Sequence, residues 1–537
     1  MPIRTSVCMP RHCPVAPVGA SARGRVPVVA LVALTLMLFA ACGGSPADPT
    51  GPVVPPPVVP PPEPPVTPFT VPTITREFRG MWIATVANID WPSRTGLSIP
   101  QQQAEFVALL DVAQQAGLNA VILHVRAAGD ALYPSTLEPW MRSFSGTQGV
   151  DPGWDPLQYA IEQSHARGIE LHAWFNPFRA GNASDTARLA EAHFGRKRPD
   201  ILRRYCSQLW FDPGEAATHD QAIAVVSDVV RRYAVDGVHI DDYFYPYPET
   251  GCTTDFPDNT AFAAYQRQGG TMARADWRRD NVNRFVERLY ATVRGLSRTA
   301  RVGISPFGIW RPGNPAGITG LDSYASIYAD SRLWLQRGWA DYFAPQLYWS
   351  STSVGQNYNA LLTWWTQQNT MRRHLWPGLA SYRIADGSSA PFAVTEISTQ
   401  IGITRAQSSA SGGPSGTIFY NASSVKNDRG GFVTALKSGL YADGAIPPAT
   451  TWLEAPAPVA PTIAATRGAV NVQLTITSGG GEPQWWLVRW RTAGSWRQRV
   501  LPYTTRTLDI PQAGIEGIVV TTINRVGTAS TDAVWRP

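Results

Sequence analysis

Residues 237–247 read GVHIDDYFYPY. The stretch opens as a short apolar run after Asp236, meets two adjacent aspartates, Asp241 and Asp242, and ends in an aromatic cluster stopped by Pro246. A strand buried on both faces of a parallel sheet normally reads as a plain apolar run, because burying an unpaired carboxylate is expensive. Two carboxyls at its C-terminal end therefore mark a working position. In an α/β barrel, that end of each strand faces the catalytic mouth.

Working outward, short apolar runs alternate with amphipathic segments. The pattern predicts strands over 79–86, 120–125, 170–175, 235–240, 301–305, 342–347, 374–380 and 416–420. Helices are predicted over 101–115, 156–167, 220–233, 281–294, 331–337, 358–368, 394–405 and near 431–440, with an irregular insertion before the fourth strand. Eight such units predict the α/β class and a (β/α)8 TIM barrel over 76–454. A doubly wound open sheet is the alternative, but no G-x-G-x-x-G follows any strand. Polar residues gather at or just past strand ends: Arg126, Asn176, Asp241 with Asp242, Gln346 and Asn421.

The flanks read differently. Residues 1–41 carry four arginines and no acids, then an apolar run over 28–41, as in a secretory leader. Small residues before Cys42 and a Gly/Ser stretch after it resemble a bacterial lipobox, which implies lipidation of Cys42 and a membrane anchor; an ordinary signal peptide is the alternative. Residues 42–75 are read as a disordered tether, because GPVVPPPVVPPPEPPVTP over 51–68 favours extended polyproline II and cannot form a core. Beyond a Pro-rich linker at 455–462, alternating apolar residues predict a small all-β sandwich over 455–537. Its IVVTTINRVG run over 518–527 resembles a fibronectin type III module.

Composition narrows the function. The 537-residue chain is 44% hydrophobic and 16% charged, as a protein with a large core should be. Its 20 Trp, 18 Tyr and 18 Phe exceed what a core alone needs and favour a sugar ligand. The net charge of +6 falls to +2 once the leader's four arginines are set aside, and no basic stripe remains to suggest nucleic acid. No spacing fits a structural zinc site, and no cofactor is expected. His124, His172 and His239 lie inside predicted strands, either as core residues or as metal ligands. Cys206 and Cys252 are left in a compartment that permits disulfides, as one bridge or as two buried thiols.

Glycoside hydrolysis usually needs two carboxyl groups. Neighbours in a flat strand point to opposite faces, so Asp241 and Asp242 can share one cleft only if the strand ends at Ile240. Either one of them pairs with a carboxylate from another loop (Asp130, Glu138, Asp212, Glu249 or Asp330), or the adjacent pair works together on an N-acetylated sugar. The second arrangement resembles hexosaminidases, where one carboxyl protonates the leaving oxygen and its neighbour orients the substrate's acetamido group. Asp242 is then the general acid and Asp241 its orienting partner. Arg126, Asn176, Gln346, Tyr348 and Tyr243 are candidate donors to sugar hydroxyls, and Trp82, Trp174 and Trp349 candidate stacking platforms.

The motifs RGMWI at 79–83, YPS at 133–135, HAWFNP at 172–177, DGVHIDDY at 236–243 and APQLYW at 344–349 resemble the glycosyl-hydrolase-like family 10 of bacterial envelope proteins. The resemblance runs from about residue 76 to 440. It implies a (β/α)8 barrel, often on a lipoprotein, and a polysaccharide substrate, with peptidoglycan glycan strands the substrate of characterised members. The expectation is an envelope-anchored glycoside hydrolase. The competing readings are a hydrolase of another polysaccharide and a non-catalytic wall-binding scaffold. Oligomeric state is not legible.

Overall fold

The computed structural model describes residues 70–481 and 483–537. The leader, Cys42 and the proline run over 51–68 lie outside the described residues. Within them, eight parallel strands follow in chain order: Phe78–Ile83, Ala120–Arg126, Glu170–Phe175, Gly237–Ile240, Arg301–Ile304, Tyr342–Phe343, a seventh in two pieces at His374–Leu375 and Gly378–Leu379, and Gly416–Phe419. The seventh closes the sheet. Its first piece pairs with the sixth strand, its second piece with the eighth, and the eighth pairs with the first. Pro377 lies between the pieces and has no N–H to donate, so the ladder breaks there and changes partner. The result is a TIM barrel.

Most predicted elements appear, with shifted ends. The first helix spans Ile99–Gln115, where Ser98 and Gln101 form a capping box. The helix before strand five is longer than its periodicity suggested, Arg274–Leu296. Strand six is only Tyr342–Phe343, because Pro345 removes a ladder donor. The irregular insertion is a three-stranded antiparallel sheet of Arg179–Asn182, Gln208–Phe211 and Leu202–Tyr205, in that order. Two of its strands, RAGN at 179–182 and LRRY at 202–205, carry no apolar run to mark them.

Two glycines shape the barrel interior. A Cβ on Gly237 would lie 2.6 Å from the His172 ring, and one on Gly303 only 1.9 Å from the Tyr342 ring. Their absence makes room for a polar filling. Trp82 Nε1 donates to His239 Nε2 (3.1 Å), so His239 carries its proton on Nδ1 and donates to the Tyr342 hydroxyl (2.9 Å). Tyr342 in turn serves His172 Nδ1 (2.9 Å), whose Nε2 reaches Glu170 (3.2 Å), and Glu170 pairs with Arg301 (2.9 Å). Each ring nitrogen of His172 and His239 is therefore occupied by a neighbour.

The C-terminal strands form two antiparallel sheets. One holds Thr462–Arg467, Asn471–Thr477 and Thr507–Pro511; the other holds Ser495–Pro502, Pro483–Thr492, Ile515–Asn524 and Ala533–Trp535. The strand Pro483–Thr492 is buried on both sides by its period of two. Trp486, Val488 and Trp490 enter the sandwich core, while Trp485 and Leu487 pack with Ile446 and Ile523. Trp485 Nε1 donates to the Gly168 carbonyl (2.7 Å), and Arg525 pairs with Asp236 (2.8 Å). Gly168 and Asp236 precede strands three and four, so the sandwich lies under the N-terminal face. The opposite face is left to the βα loops.

Cys206, in the turn of the inserted sheet, is disulfide-bonded to Cys252 in the loop after strand four. Ser207 and Gln208 bond Glu249 beside the bridge (2.8 and 2.7 Å), and Trp210 Nε1 donates to the Phe244 carbonyl (2.9 Å). The inserted sheet thus clamps the loop that carries the aspartate pair. Closing a loop of 46 residues confers about 2–4 kcal/mol. Cys252→Ser should lower the unfolding free energy by that amount, read as a lower denaturant midpoint, and keep the far-UV circular dichroism spectrum. An unchanged midpoint would show that the bridge contributes nothing.

Candidate active site

Strand four ends at Ile240, and Asp241 is what ends it. The Asp241 Oδ1 accepts the backbone N–H of Tyr243 (3.2 Å), a side-chain-to-backbone turn that competes with the ladder. Alternation no longer governs the next residue, and both aspartates are buried, 4% and 5% exposed. Asp241 leans toward strand three, where its Oδ2 accepts Trp174 Nε1 (3.0 Å). Asp242 leans toward strand six and accepts the Tyr247 hydroxyl and the Gln346 side chain.

Every donor bonded to the pair is neutral. Burial first, and the Asp242 charge second, push the Asp241 carboxyl up to about 8. Burial also raises Asp242, against the pull of Tyr247 and Gln346. Near neutral pH the pair therefore shares a proton. Burial and then the Asp242 charge also raise the Tyr243 hydroxyl, to about 12.

Around the pair stands a ring of half-buried aromatics. Tyr243 meets Tyr247 edge-on (5.7 Å), Tyr247 meets Phe307 (6.2 Å), and Phe307 meets Trp349 (5.6 Å). On the far side Tyr348 stacks with Tyr420 (5.8 Å) and meets Tyr382 edge-on (6.2 Å). Gly308 permits the tight turn under this rim, because a Cβ there would lie 2.2 Å from the Gln346 carbonyl oxygen. Half-exposed rings beside buried carboxyls offer flat apolar faces and phenol hydroxyls together, the surface a pyranose fits. Trp82 and Trp174 lie lower, 2% and 6% exposed. Trp174 stacks on His124 (3.9 Å), and that imidazole, pushed down to about 3 by burial, bonds Asn176 (2.6 Å). These two tryptophans form the floor.

Arg126 is turned into the structure. Its guanidinium meets Glu138 through two bonds (2.8 and 2.5 Å), and it donates to the carbonyls of Asn176 and Pro177. The other acids considered as a second carboxylate are committed as well. Asp130 holds Gln148 and the Ala128 amide, and Asp212 holds Arg203 and the Gly214 amide. Glu249 serves the inserted sheet, while Asp330 caps Ser331–Arg337 and accepts Trp310 Nε1. Five rim or mouth residues escaped the sequence reading: Arg179, Tyr247, Phe307, Tyr382 and Tyr420. Each lies within about ten residues beyond a strand end, and that position was the available signal.

The family model described as Glycosyl hydrolase-like 10 matches residues 77–392. The chain is 39% identical over 394 residues to Glycosyl hydrolase YngK of Bacillus subtilis (strain 168), an alignment covering 72% of this chain and 76% of that one. It is 33% identical over 385 residues to Glycosyl hydrolase DigH of Escherichia coli (strain K12), covering 67% and 83%. Among solved structures, the PgaB (BpsB) glycoside hydrolase domain from Bordetella bronchiseptica aligns with a TM-score of 0.45 at 13% identity, over 68% of this chain and 98% of that one. With more than half its length matched in this way, the chain belongs to the glycosyl hydrolase-like 10 family.

Proposed function

We propose that the chain is an envelope-anchored glycoside hydrolase acting on glycan strands of peptidoglycan or a related N-acetylated polysaccharide, with Asp241 and Asp242 as its acid pair. One observation carries the reading. Two adjacent carboxyls are buried together at the barrel mouth with neutral donors only, while the five other candidate acids are bonded elsewhere. Relatives that carry the name glycosyl hydrolase support a hydrolytic activity.

An adjacent pair suits substrate-assisted hydrolysis, an exception to the usual two-carboxylate arrangement. Asp242, beside half-buried Tyr247 and Gln346, delivers the pair's proton to the glycosidic oxygen. The substrate's own acetamido oxygen attacks the anomeric carbon as that bond breaks. Asp241, fixed by Trp174 and the Tyr243 amide, accepts the acetamido N–H. Water then opens the cyclic intermediate and returns the proton. Cys42 is the proposed lipid anchor, and the proline run is the spacer that lets the barrel reach the wall.

The direct test is release of new reducing ends from peptidoglycan glycan strands by the chain from residue 76 onward. Asp242→Asn and Asp241→Asn should each cut turnover at least ~100-fold with folding retained. De-N-acetylated strands should resist cleavage, and their hydrolysis at the normal rate would remove the acetamido step. Binding without any cleavage would favour the scaffold.

The same pair predicts a pH dependence of stability. The Asp241 carboxyl titrates near 8 when folded and near 3.8 when unfolded, so the folded state binds the extra proton. Stability contributed by the protonated form is complete below about pH 4 and is lost as pH rises through 8. Asp241→Asn removes this limb and keeps the Oδ1 turn to Tyr243. Its stability relative to wild type should therefore grow by on the order of 1–3 kcal/mol between pH 5 and 9, measured by denaturant titration. A constant difference would show that Asp241 is not held protonated.

Anchoring has its own readout. Cys42→Ala should abolish incorporation of labelled palmitate and release the protein from the membrane fraction. Continued labelling would exclude Cys42 as the lipid site.

A further inference from the structure

Arg179 begins the first strand of the inserted sheet, three residues past Asn176. Its guanidinium carbon lies 5.8 Å from the centre of the Tyr243 ring, the half-buried aromatic next to the acid pair. Its charge acts on Asp241, Tyr243 and His124, which brackets it at the mouth between strands two, three and four. Yet it has no ion pair among the described residues, and its Nε is buried without a hydrogen-bond partner. The neighbouring buried arginines are committed, Arg126 to Glu138 and Arg278 to Asp255 and Asp258.

A buried donor with no acceptor is costly, and a guanidinium keeps its charge at any working pH. Asp241 is an acid on which its charge acts. That carboxyl takes Trp174 and the Tyr243 amide and makes no ion pair with Arg179. The guanidinium is therefore left at the mouth, 5.8 Å from the centre of the Tyr243 ring, with no acid among the described residues as its ion-pair partner. Its planar fork of N–H donors matches a carboxylate better than a hydroxyl or an amide.

We propose that Arg179 is a specificity-determining residue that binds a carboxylate carried by the sugar at the scissile bond. The inference rests on the reading of this mouth as a glycan hydrolase site. Two sources share the chemistry: the 3-O-lactyl carboxylate of a muramoyl residue freed of its peptide, and a uronate. In either case Arg179 pairs with the substrate's charge, the Tyr243 ring backs the guanidinium, and the buried Nε gains its missing acceptor.

The test compares peptide-free glycan strands with the same strands after reduction of their carboxylates to alcohols, and with an N-acetylhexosamine–uronate polymer. The wild-type chain should prefer the carboxylate-bearing strands by about tenfold or more in kcat/KM. Arg179→Gln should erase that preference mainly through KM and at every pH, while the pH limb moves up slightly as the charge near Asp241 is lost, and Arg179→Lys should restore part of the preference. Cleavage of the uronate polymer that also falls in Arg179→Gln supports the uronate source; loss confined to the muramoyl strands supports the lactyl one. Equal cleavage of native and reduced strands by wild type overturns the inference. So does an Arg179→Gln variant that shifts the pH limb while keeping its preference, since Arg179 would then act only through Asp241.

Affinities of native and reduced strands for Asp242→Asn, by calorimetry, decide the matter even if no turnover is found. Equal affinities overturn the carboxylate subsite. A preference for native strands without turnover keeps the subsite and removes the hydrolase reading. If Arg179→Gln does not fold, the wild-type preference and the calorimetry still decide.

Discussion

Taking a carboxylate out of water costs several kcal/mol unless something replaces its hydration, and this barrel meets that cost differently at its two ends. At the N-terminal face every buried acid has a cation. Glu77 is paired with Arg79 and Arg405, Glu170 with Arg301, and Asp236 with His165 and Arg525. Burial opposes ionisation at Glu77 and Asp236, but these charges overcome it and hold both carboxyls below their usual range. At the C-terminal face Asp241 and Asp242 receive only an indole, an amide, a phenol and a carboxamide. Burial wins there, and a proton stays. The same chemical group is a structural tie at one end and a source of protons at the other.

The polar column between the two ends makes that contrast possible. Glu170, His172 and Trp174 are successive inward positions of strand three, and they carry the interior from the Arg301 pair to the aspartates. Since Trp82 can only donate to His239, the direction of each bond down to Glu170 is set without choice. Trp82 cannot rotate without breaking that series, and Trp174 is held by His124 on its face and Asp241 at its edge. The floor of the mouth is thereby fixed from inside. The inserted sheet and its bridge to Cys252 fix the loop above it from outside. A site meant to hold a sugar in one orientation gains from both restraints.

The barrel was legible because eight apolar runs at helical spacing leave few topologies, and because polar residues gathered past the strand ends. Asp241, Asp242, Tyr243, Gln346, Tyr348 and Trp349 do come together at the mouth. Arg126 read the same way from sequence, yet it faces Glu138, since a strand-end position does not fix the direction of a long side chain. The inserted sheet was illegible because two of its three strands, RAGN and LRRY, have no apolar run to mark them. Arg179 lay in plain view beside Asn176. What distinguishes it is the lack of a partner, and only three dimensions show that.

How two neighbouring aspartates come to share one cleft follows from Asp241 itself. In an unbroken strand Asp242 would point away from the residue before it. By taking the Tyr243 amide onto its own Oδ1, Asp241 withdraws that N–H from any further ladder and turns the chain. The next bond, Phe244 N–H to the Asp242 carbonyl (3.0 Å), keeps the turn tight. Asp242 then swings toward Tyr247 and Gln346 instead of outward into the helical layer. A longer residue at 241 could not make the two-residue turn in the same way. The position therefore calls for aspartate or asparagine on backbone grounds, and for aspartate alone once a proton must be held there.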